Sequence, residues 1–270
     1  MKVLRNIGGL KKAISGIDNL GFVPTMGGLH KGHISLIKKS QKKCKKTLVS
    51  IYVNPKQFNK SRDFLSYPRN LNKDLIILRK LKVDFLFLPI TKEIYKNNYK
   101  KIILPINQKI LCAKYRKGHF EGVLDIMNRL VNLIYPKRIF LGEKDYQQFF
   151  LVKKFIEKKY PTRVFLCKTI RNSNYVALST RNNLLNKNDL KICAVISHEL
   201  INLKNALKQY PSEKRERIKF TKQKIINKFG IKIEYLESRN LINLSKKITN
   251  KPFKIFIAYY LNKVRLIDNF

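Results

Sequence analysis

The sequence predicts an α/β fold: a doubly wound (Rossmann-like) parallel sheet with helices on both faces, followed by a smaller C-terminal α+β domain. Three observations predict it. The stretch from Phe22 to Leu36, FVPTMGGLHKGHISL, reads as a buried strand, a glycine-bearing turn and the first turns of a helix. The run from Thr47 to Val53, TLVSIYV, is β-branched, aromatic and continuously apolar, the character of a parallel strand covered on both faces. At Arg138 to Lys153, RIFLGEKDYQQFFLVK, a polar cluster follows directly on a short apolar strand. Strand, helix and strand make a βαβ unit, and such units build a parallel sheet flanked by helices. With 270 residues and 44% hydrophobic content, the chain has ample length for a real core.

Taken in order, residues 1 to 20 read as a short strand and an amphipathic helix leading into the strand at Phe22. A helix is expected to begin near Leu29 and continue through His33 to Lys43. The strand from Thr47 empties into Asn54, Pro55, Lys56, Gln57 and Phe58, a loop at a carboxyl end of the sheet, where open α/β folds bind ligands. Asp63 to Asp74 carries YPRN at Tyr67 to Asn70, then a helix to Leu81 and a strand from Val83 to Leu88 closed by Pro89. Residues 91 to 115 are polar, lysine-rich and weakly periodic, and are expected to form a connector or a mobile flap. Beyond Arg116 to Val123 a long helix runs to Tyr135, where Pro136 stops it. The strand and helix of Arg138 to Lys153 and a strand from Thr162 to Cys167 complete a first domain, residues 1–169. The second domain, residues 170–270, holds two lysine-rich amphipathic helices within 187 to 229 and strands at Ile231 to Leu236, Phe253 to Tyr260 and Val264 to Ile267. It reads as a lid hinged near Ile170.

Chemistry concentrates first at Phe22 to Leu36. Gly27 and Gly28 let the backbone come close to a ligand, and Gly32 sits between His30 and His33. A helix starting near Leu29 puts both imidazoles on one face, one turn apart, beside unpaired N–H groups and the positive end of the helix dipole. Such a place receives phosphate. The plain alternative is two solvent-facing histidines at an ordinary helix start, but three of the four histidines (His30, His33, His119) fall in glycine-bearing segments. No third His, Cys or acid stands nearby at ligand spacing, which argues against zinc. After Gly142, a capped and solvated helix entry accounts for Glu143 and Gln147, whereas Lys144 and Gln148, four apart, can face one cavity.

A net charge of +41 would ordinarily point to nucleic acid or an anionic membrane. The basic residues are 44 Lys and 14 Arg, with the lysines spread through nearly every segment. Specific recognition of bases and phosphates favours the arginine fork, so a solvated basic surface arising from coding bias is the simpler account. Neither a specific nucleic acid nor a membrane is expected as a partner. Cys44, Cys112, Cys167 and Cys193 are far apart and form no CxxC pair, as expected of buried thiols in a reducing cytosol. No apolar run approaches membrane-crossing length, and the N-terminus lacks a signal-peptide centre, so a cytoplasmic location is expected.

VPTMGGLHKGH closely resembles the phosphate-binding signature of the pantothenate synthetase family, within the larger group of nucleotidylyl transferases whose HxGH motif grips ATP. VNPKQF and YPRNLNKDL follow in the family's order. RKGHFEGV resembles RPGHFxGV with Lys117 in place of the usual proline, and GEKDYQQ comes next. YVALSTRNNLL resembles LAMSSRNxYL, a KMSKS-like phosphate loop, with Asn174 and Tyr175 where the family usually has Asp-Gly. RLIDN closes the chain, so the resemblance covers almost all of it.

The resemblance implies a homodimeric ligase that joins pantoate to β-alanine, using ATP and Mg²⁺, through an enzyme-bound pantoyl adenylate. Carried over residue by residue, it implies that His30, His33, Lys144, Ser179 and Arg181 contact the triphosphate, with His30, His33, Lys144 and Arg181 as the catalytic set. Met26, Gly142, Ile170, Leu178 and Thr180 complete the ATP site, Asp145 lies toward the ribose, and Gln57 and Gln148 hold pantoate and β-alanine. Mg²⁺ comes with ATP, with no protein ligand assigned. A different nucleotidylyl transferase would share HxGH and the serine-arginine loop but has no reason to carry both NPxQF and GEKDYQQ. A nucleic-acid-binding module leaves the motif order unexplained, and a catalytically dead homologue is at odds with the intact motif residues.

Overall fold

The computed structural model describes residues 1–59, 61–96, 99–248 and 251–270, and divides into two compact units, Met1–Ile170 and Arg171–Phe270. In the first, β1 (Lys2–Leu4), β2 (Leu20–Thr25), β3 (Lys46–Ile51), β4 (Phe85–Phe87), β5 (Arg138–Gly142) and β6 (Arg163–Cys167) form one parallel sheet in the order β1-β4-β3-β2-β5-β6. The helices of this unit are α1 (Ile7–Ile14), α2 (Lys31–Lys43), α3 (Ser61–Leu65), α4 (Leu71–Lys80), α5 (Thr91–Ile94), α6 (Cys112–Tyr115), α7 (His119–Ile134) and α8 (Tyr146–Lys159). From β2 the chain winds out through β3 and β4, then returns to the other side of β2 for β5 and β6. Right-handed crossovers wound in opposite directions put helices on opposite faces, so the sheet is doubly wound and its order reverses between β2 and β5.

That reversal positions the site. Val23, Leu36, Ile37, Val49, Leu78, Leu86 and Phe140 join one core cluster that fixes β2, β3, β4 and β5 against α2 and α4. Pro24 lies in β2 although that strand has neighbours on both sides, and proline has no N–H to give a ladder. Pairing of β2 with β5 spans Gly21↔Arg138 and Phe22↔Ile139 and ends before Pro24. The two strands therefore part toward their carboxyl ends.

Two expectations are corrected here. The strand expected over Val83 to Leu88 contracts to Phe85–Phe87, because the Val83 N–H turns back to the Leu78 carbonyl while Lys82 takes a positive φ of 51°. Residues 91 to 115 do more than connect. They carry α5, α6 and a 3₁₀ turn at Ile106–Gln108, and they bury Ile94, Leu104, Leu111, Cys112 and Ala113. Arg129 on α7 anchors the segment, stacking 4.4 Å from the Tyr95 ring and 4.5 Å from the Tyr99 ring and donating to the Ile94 carbonyl at 3.1 Å. Asn97 and Asn98 lie outside the described residues.

The second unit packs α9 (Lys187–Gln209) and α10 (Lys214–Phe229) on an antiparallel sheet of β7 (Ile233–Asn240), β8 (Phe253–Leu261) and β9 (Val264–Asn269). Ile196, Leu200, Leu203 and Leu207 recur at helical spacing along α9 and, with Ile225 of α10, pack on Leu236, Ile255 and Ile257. The lysine-rich faces are left to solvent. No helix among the described residues is long and apolar enough to cross a membrane.

Candidate active site

The carboxyl end of β2 turns through Gly27 and Gly28, at positive φ of 80° and 64°, before α2 begins. A buried carboxylate holds this turn: Asp74 of α4 accepts the Gly28 N–H at 2.9 Å and the Leu29 N–H at 2.7 Å. Burial pushes the Asp74 carboxyl up, and the two N–H groups pull it back. The helix starts at Lys31, two residues later than expected, because His30 acts as its N-cap. His30 Nδ1 accepts the Gly32 N–H at 3.1 Å, and His33 Nδ1 accepts the His30 N–H at 3.4 Å. This is a reciprocal cap built from imidazoles. A Cβ on Gly32 would stand 2.7 Å from His30 Cε1 and 2.9 Å from Nδ1, so the cap requires glycine between the histidines.

An Nδ1 that accepts a hydrogen bond carries no proton, so each neutral ring bears its proton on Nε2. The rings lie 4.1 Å apart between centroids. Desolvation, and then the Lys144 charge, lower His30 to about 4, with Asp145 opposing; desolvation, His30 and Lys144 lower His33 to about 3. Both are therefore uncharged N–H donors at neutral pH. Unfolded imidazoles take a proton near 6.5, so the unfolded chain binds more protons between that pH and about 4, and these two groups cost stability as pH falls through that window. Long-range ¹H–¹⁵N correlation spectra at pH 7 should show both rings as the Nε2–H tautomer, with His30 titrating only near pH 4. Titration of either ring near 6.5 would overturn the assignment.

Across the switch point, Gly142 ends β5 and Glu143–Asp145 forms a single 3₁₀ turn leading into α8. Lys144 is mostly buried, at 18% side-chain exposure, and its ammonium lies 3.8 Å from the half-exposed Asp145 carboxylate. Its charge adds to desolvation in holding both histidines below their usual range. Glu143 accepts the Thr169 N–H at 3.3 Å, and the buried Gln147 amide binds the Cys112 N–H and the Ile110 carbonyl, at 3.0 and 2.7 Å. Both act as structural ties. Gln148, one position on, is half-buried in the first turn of α8.

From the end of β3, the turn Pro55–Gln57 brings Gln57 under Met26, with Nε2 to Sδ at 2.9 Å. Asn54 braces the turn, donating to the Gly122 carbonyl at 3.1 Å and accepting from Tyr95 Oη at 2.8 Å. The first unit thus brings Met26, His30, His33, Gln57, Gly142, Lys144, Asp145 and Gln148 to the carboxyl ends of β2, β3 and β5, while Ile170 closes the unit beyond β6. Asp74, Asn54, Arg116 and His119 support this arrangement without having been assigned a role from sequence. The signal was their place inside the quoted motifs.

The second unit carries Leu178, Ser179, Thr180 and Arg181 on a loop with its own bracing. Arg171 makes a two-pronged pair with Asp268, both contacts at 2.8 Å, and lies 3.9 Å from the Phe270 ring. Ser179 caps a 3₁₀ helix, Thr180–Leu184, by accepting the Arg181 N–H at 3.2 Å; Thr180 is buried, and Leu178 and Arg181 are half-buried. Tyr175 takes a positive φ of 60°, which costs a non-glycine residue roughly 1–2 kcal/mol. Its ring packs edge-on to His198 at 5.2 Å, and Asn172 Oδ1 accepts the Asn174 and Val176 N–H groups on either side. Asn174 and Tyr175 therefore keep a tight turn.

A family model described as pantoate-beta-alanine ligase matches residues 2–270. A pantothenate synthetase of Francisella philomiragia subsp. philomiragia is 39% identical over 264 residues, covering 97% of this chain and 92% of that protein. One from Clostridium botulinum (strain Langeland) is 38% identical over 255 residues, covering 93% and 91%. Among solved structures, a pantothenate synthetase of Thermus thermophilus superposes with a TM-score of 0.90 at 27% identity, covering 100% of this chain and 99% of that one. The pantoate-beta-alanine ligase of Francisella tularensis, complexed with beta-gamma ATP and beta-alanine, gives 0.84 at 38% identity, covering 100% and 97%.

Proposed function

The chain belongs to the pantoate-beta-alanine ligase family, and from that premise we propose that it condenses pantoate with β-alanine through an enzyme-bound pantoyl adenylate, releasing AMP and pyrophosphate. The observation that carries this reading is the meeting of two neutral Nε2–H donors and one ammonium at the switch point of the sheet. Open α/β sheets bind ligands at such a crevice.

In the first step a pantoate carboxylate oxygen attacks the α-phosphorus of ATP, and the bond to pyrophosphate breaks with its electron pair on the leaving group. The carboxylate is already ionised at neutral pH, so the step needs alignment and charge stabilisation rather than a general base. His30 and His33 donate Nε2–H to phosphate oxygens, and Lys144 stabilises the charge that grows on pyrophosphate. Ser179, Thr180 and Arg181 add donors from their loop, Met26, Gly142, Ile170 and Leu178 line the nucleotide, and Asp145 faces the ribose. Gln57 and Gln148 hold pantoate, because an amide meets a hydroxyl and a carboxylate without adding negative charge beside ATP. In the second step the free amine of β-alanine attacks the acyl carbon, the acyl–oxygen bond breaks with its electron pair on AMP, and the proton lost from nitrogen passes to solvent.

Among the described residues no group of three or more His, Cys, Asp or Glu could hold a metal ion, and the half-exposed Asp145 stands beside Lys144. We propose that Mg²⁺ comes with ATP; Asp145 is the carboxylate that could meet it, and the ion would neutralise triphosphate charge. A homodimer and a cytoplasmic location complete the proposal.

The test is isotope exchange. Purified protein with ATP, Mg²⁺ and pantoate, but no β-alanine, should incorporate labelled pyrophosphate into ATP, since an acyl adenylate formed first permits the reverse reaction. Exchange that needs β-alanine would sink the stepwise order, and no pantothenate formed from the full substrate set would sink the function.

A further inference from the structure

Gln57 is held unevenly. Among the described residues its side-chain amide has only weak partners, a thioether at Nε2 and the Asn54 amide 3.4 Å from Oε1, as suits a group that exchanges them for a ligand. Its backbone carbonyl, by contrast, is gripped. His119 Nδ1 lies 2.7 Å from the Gln57 oxygen, and Arg116 Nη2 approaches the same oxygen at 3.5 Å. On the far side of the ring, Arg116 Nη1 stands 2.9 Å from His119 Nε2.

These contacts allow one tautomer. A carbonyl oxygen only accepts and a guanidinium only donates, so His119 carries its proton on Nδ1 and offers a lone pair at Nε2. The opposite tautomer would set lone pair against lone pair at Gln57 and N–H against N–H at Arg116. This is the reverse of His30 and His33. The ring has little room to turn: it is 8% exposed, with the Phe120 ring 4.8 Å away, and α7 is pressed onto the Pro55–Gln57 turn so closely that a Cβ on Gly122 would meet the Lys56 carbonyl carbon at 2.7 Å and Gln57 Cα at 3.0 Å.

We propose that His119, with its tautomer selected by Arg116, is a positioning residue that aims Gln57 at pantoate. It acts through the Gln57 backbone and touches no reacting atom. The inference rests on the proposed role of Gln57 in holding pantoate, and the test separates the two. His119→Asn keeps a donor near the Nδ1 position, whereas His119→Gln places its amide near the Nε2 position and His119→Leu has no donor at all. Steady-state KM values for pantoate and for ATP, with the thermal midpoint of each variant, are compared with those of Gln57→Ala.

His119→Asn should stay within about threefold of the parent in KM for pantoate, while His119→Gln should raise it about tenfold, the scale of one lost hydrogen bond, with KM for ATP little changed. If Leu fails to fold, the Asn and Gln pair still decides. Equal rises in both KM values, or no difference between Asn and Gln at matched thermal midpoints, would overturn the positioning role. If Gln57→Ala leaves KM for pantoate unchanged, it is the reading of Gln57 that fails.

Discussion

Lys144→Ala should bind ATP almost normally and turn over roughly 10²- to 10³-fold more slowly, the loss seen on removing one preorganised stabiliser. The ammonium lies where its charge reaches both histidines, on a turn fixed between β5 and α8. In the proposed first step charge moves onto pyrophosphate as the new bond forms, so a contact from Lys144 would strengthen in the transition state more than in bound ATP. The measurement is kcat with KM for both substrates, beside Lys100→Ala, an exposed lysine of the 91–115 segment. A Lys144→Ala enzyme that keeps the parent kcat would remove Lys144 from the mechanism.

Gly32→Ala should separate folding from catalysis. The added methyl would collide with the His30 ring, which can swing aside only by giving up its cap on α2. Loss of an N-cap costs about 1 kcal/mol, so the protein should fold with a modest fall in thermal midpoint. On the proposed role of His30 the displaced ring would take its Nε2–H away from the phosphate, and kcat/KM for ATP should fall roughly 10²-fold. Parent-like activity in a stable Gly32→Ala variant would mean that the His30 ring need not stand where it does.

The parts of the fold carried by local pattern were legible. Phe22 and Val23, Leu48 and Val49, and Ile139 and Phe140 are fully buried, as their apolar runs require, and the polar residues after Gly142 do follow a strand. Gln147 and Glu143 do not form the capped, solvated helix entry expected of them: Gln147 is buried and tied to Cys112 and Ile110, and Glu143 to Thr169, because their partners lie far along the chain. What escaped depends on partners distant in sequence. Asp74 matters because it meets Gly28 and Leu29 across 46 and 45 residues; its place in YPRNLNKDL marks the residue but does not reveal those partners. The 91–115 segment has weak periodicity because its order comes from Arg129 and Asn54 rather than from a face of its own. The start of α2 falls later than its pattern suggests because histidine is not an ordinary cap, and only the pair supplies one.

The imidazole cap also joins two equilibria. Nδ1 of each ring belongs to the first turn of α2, and in the proposed reaction Nε2–H meets a phosphate oxygen, so one side chain would serve local folding on one edge and ligand on the other. The helix start can fray only by turning the rings, and turning the rings releases whatever Nε2 holds. Anion occupancy therefore suppresses local opening of that turn, and opening provides an exit for the anion. In the proposed reaction, product release would then be coupled to end-fraying of a single helix.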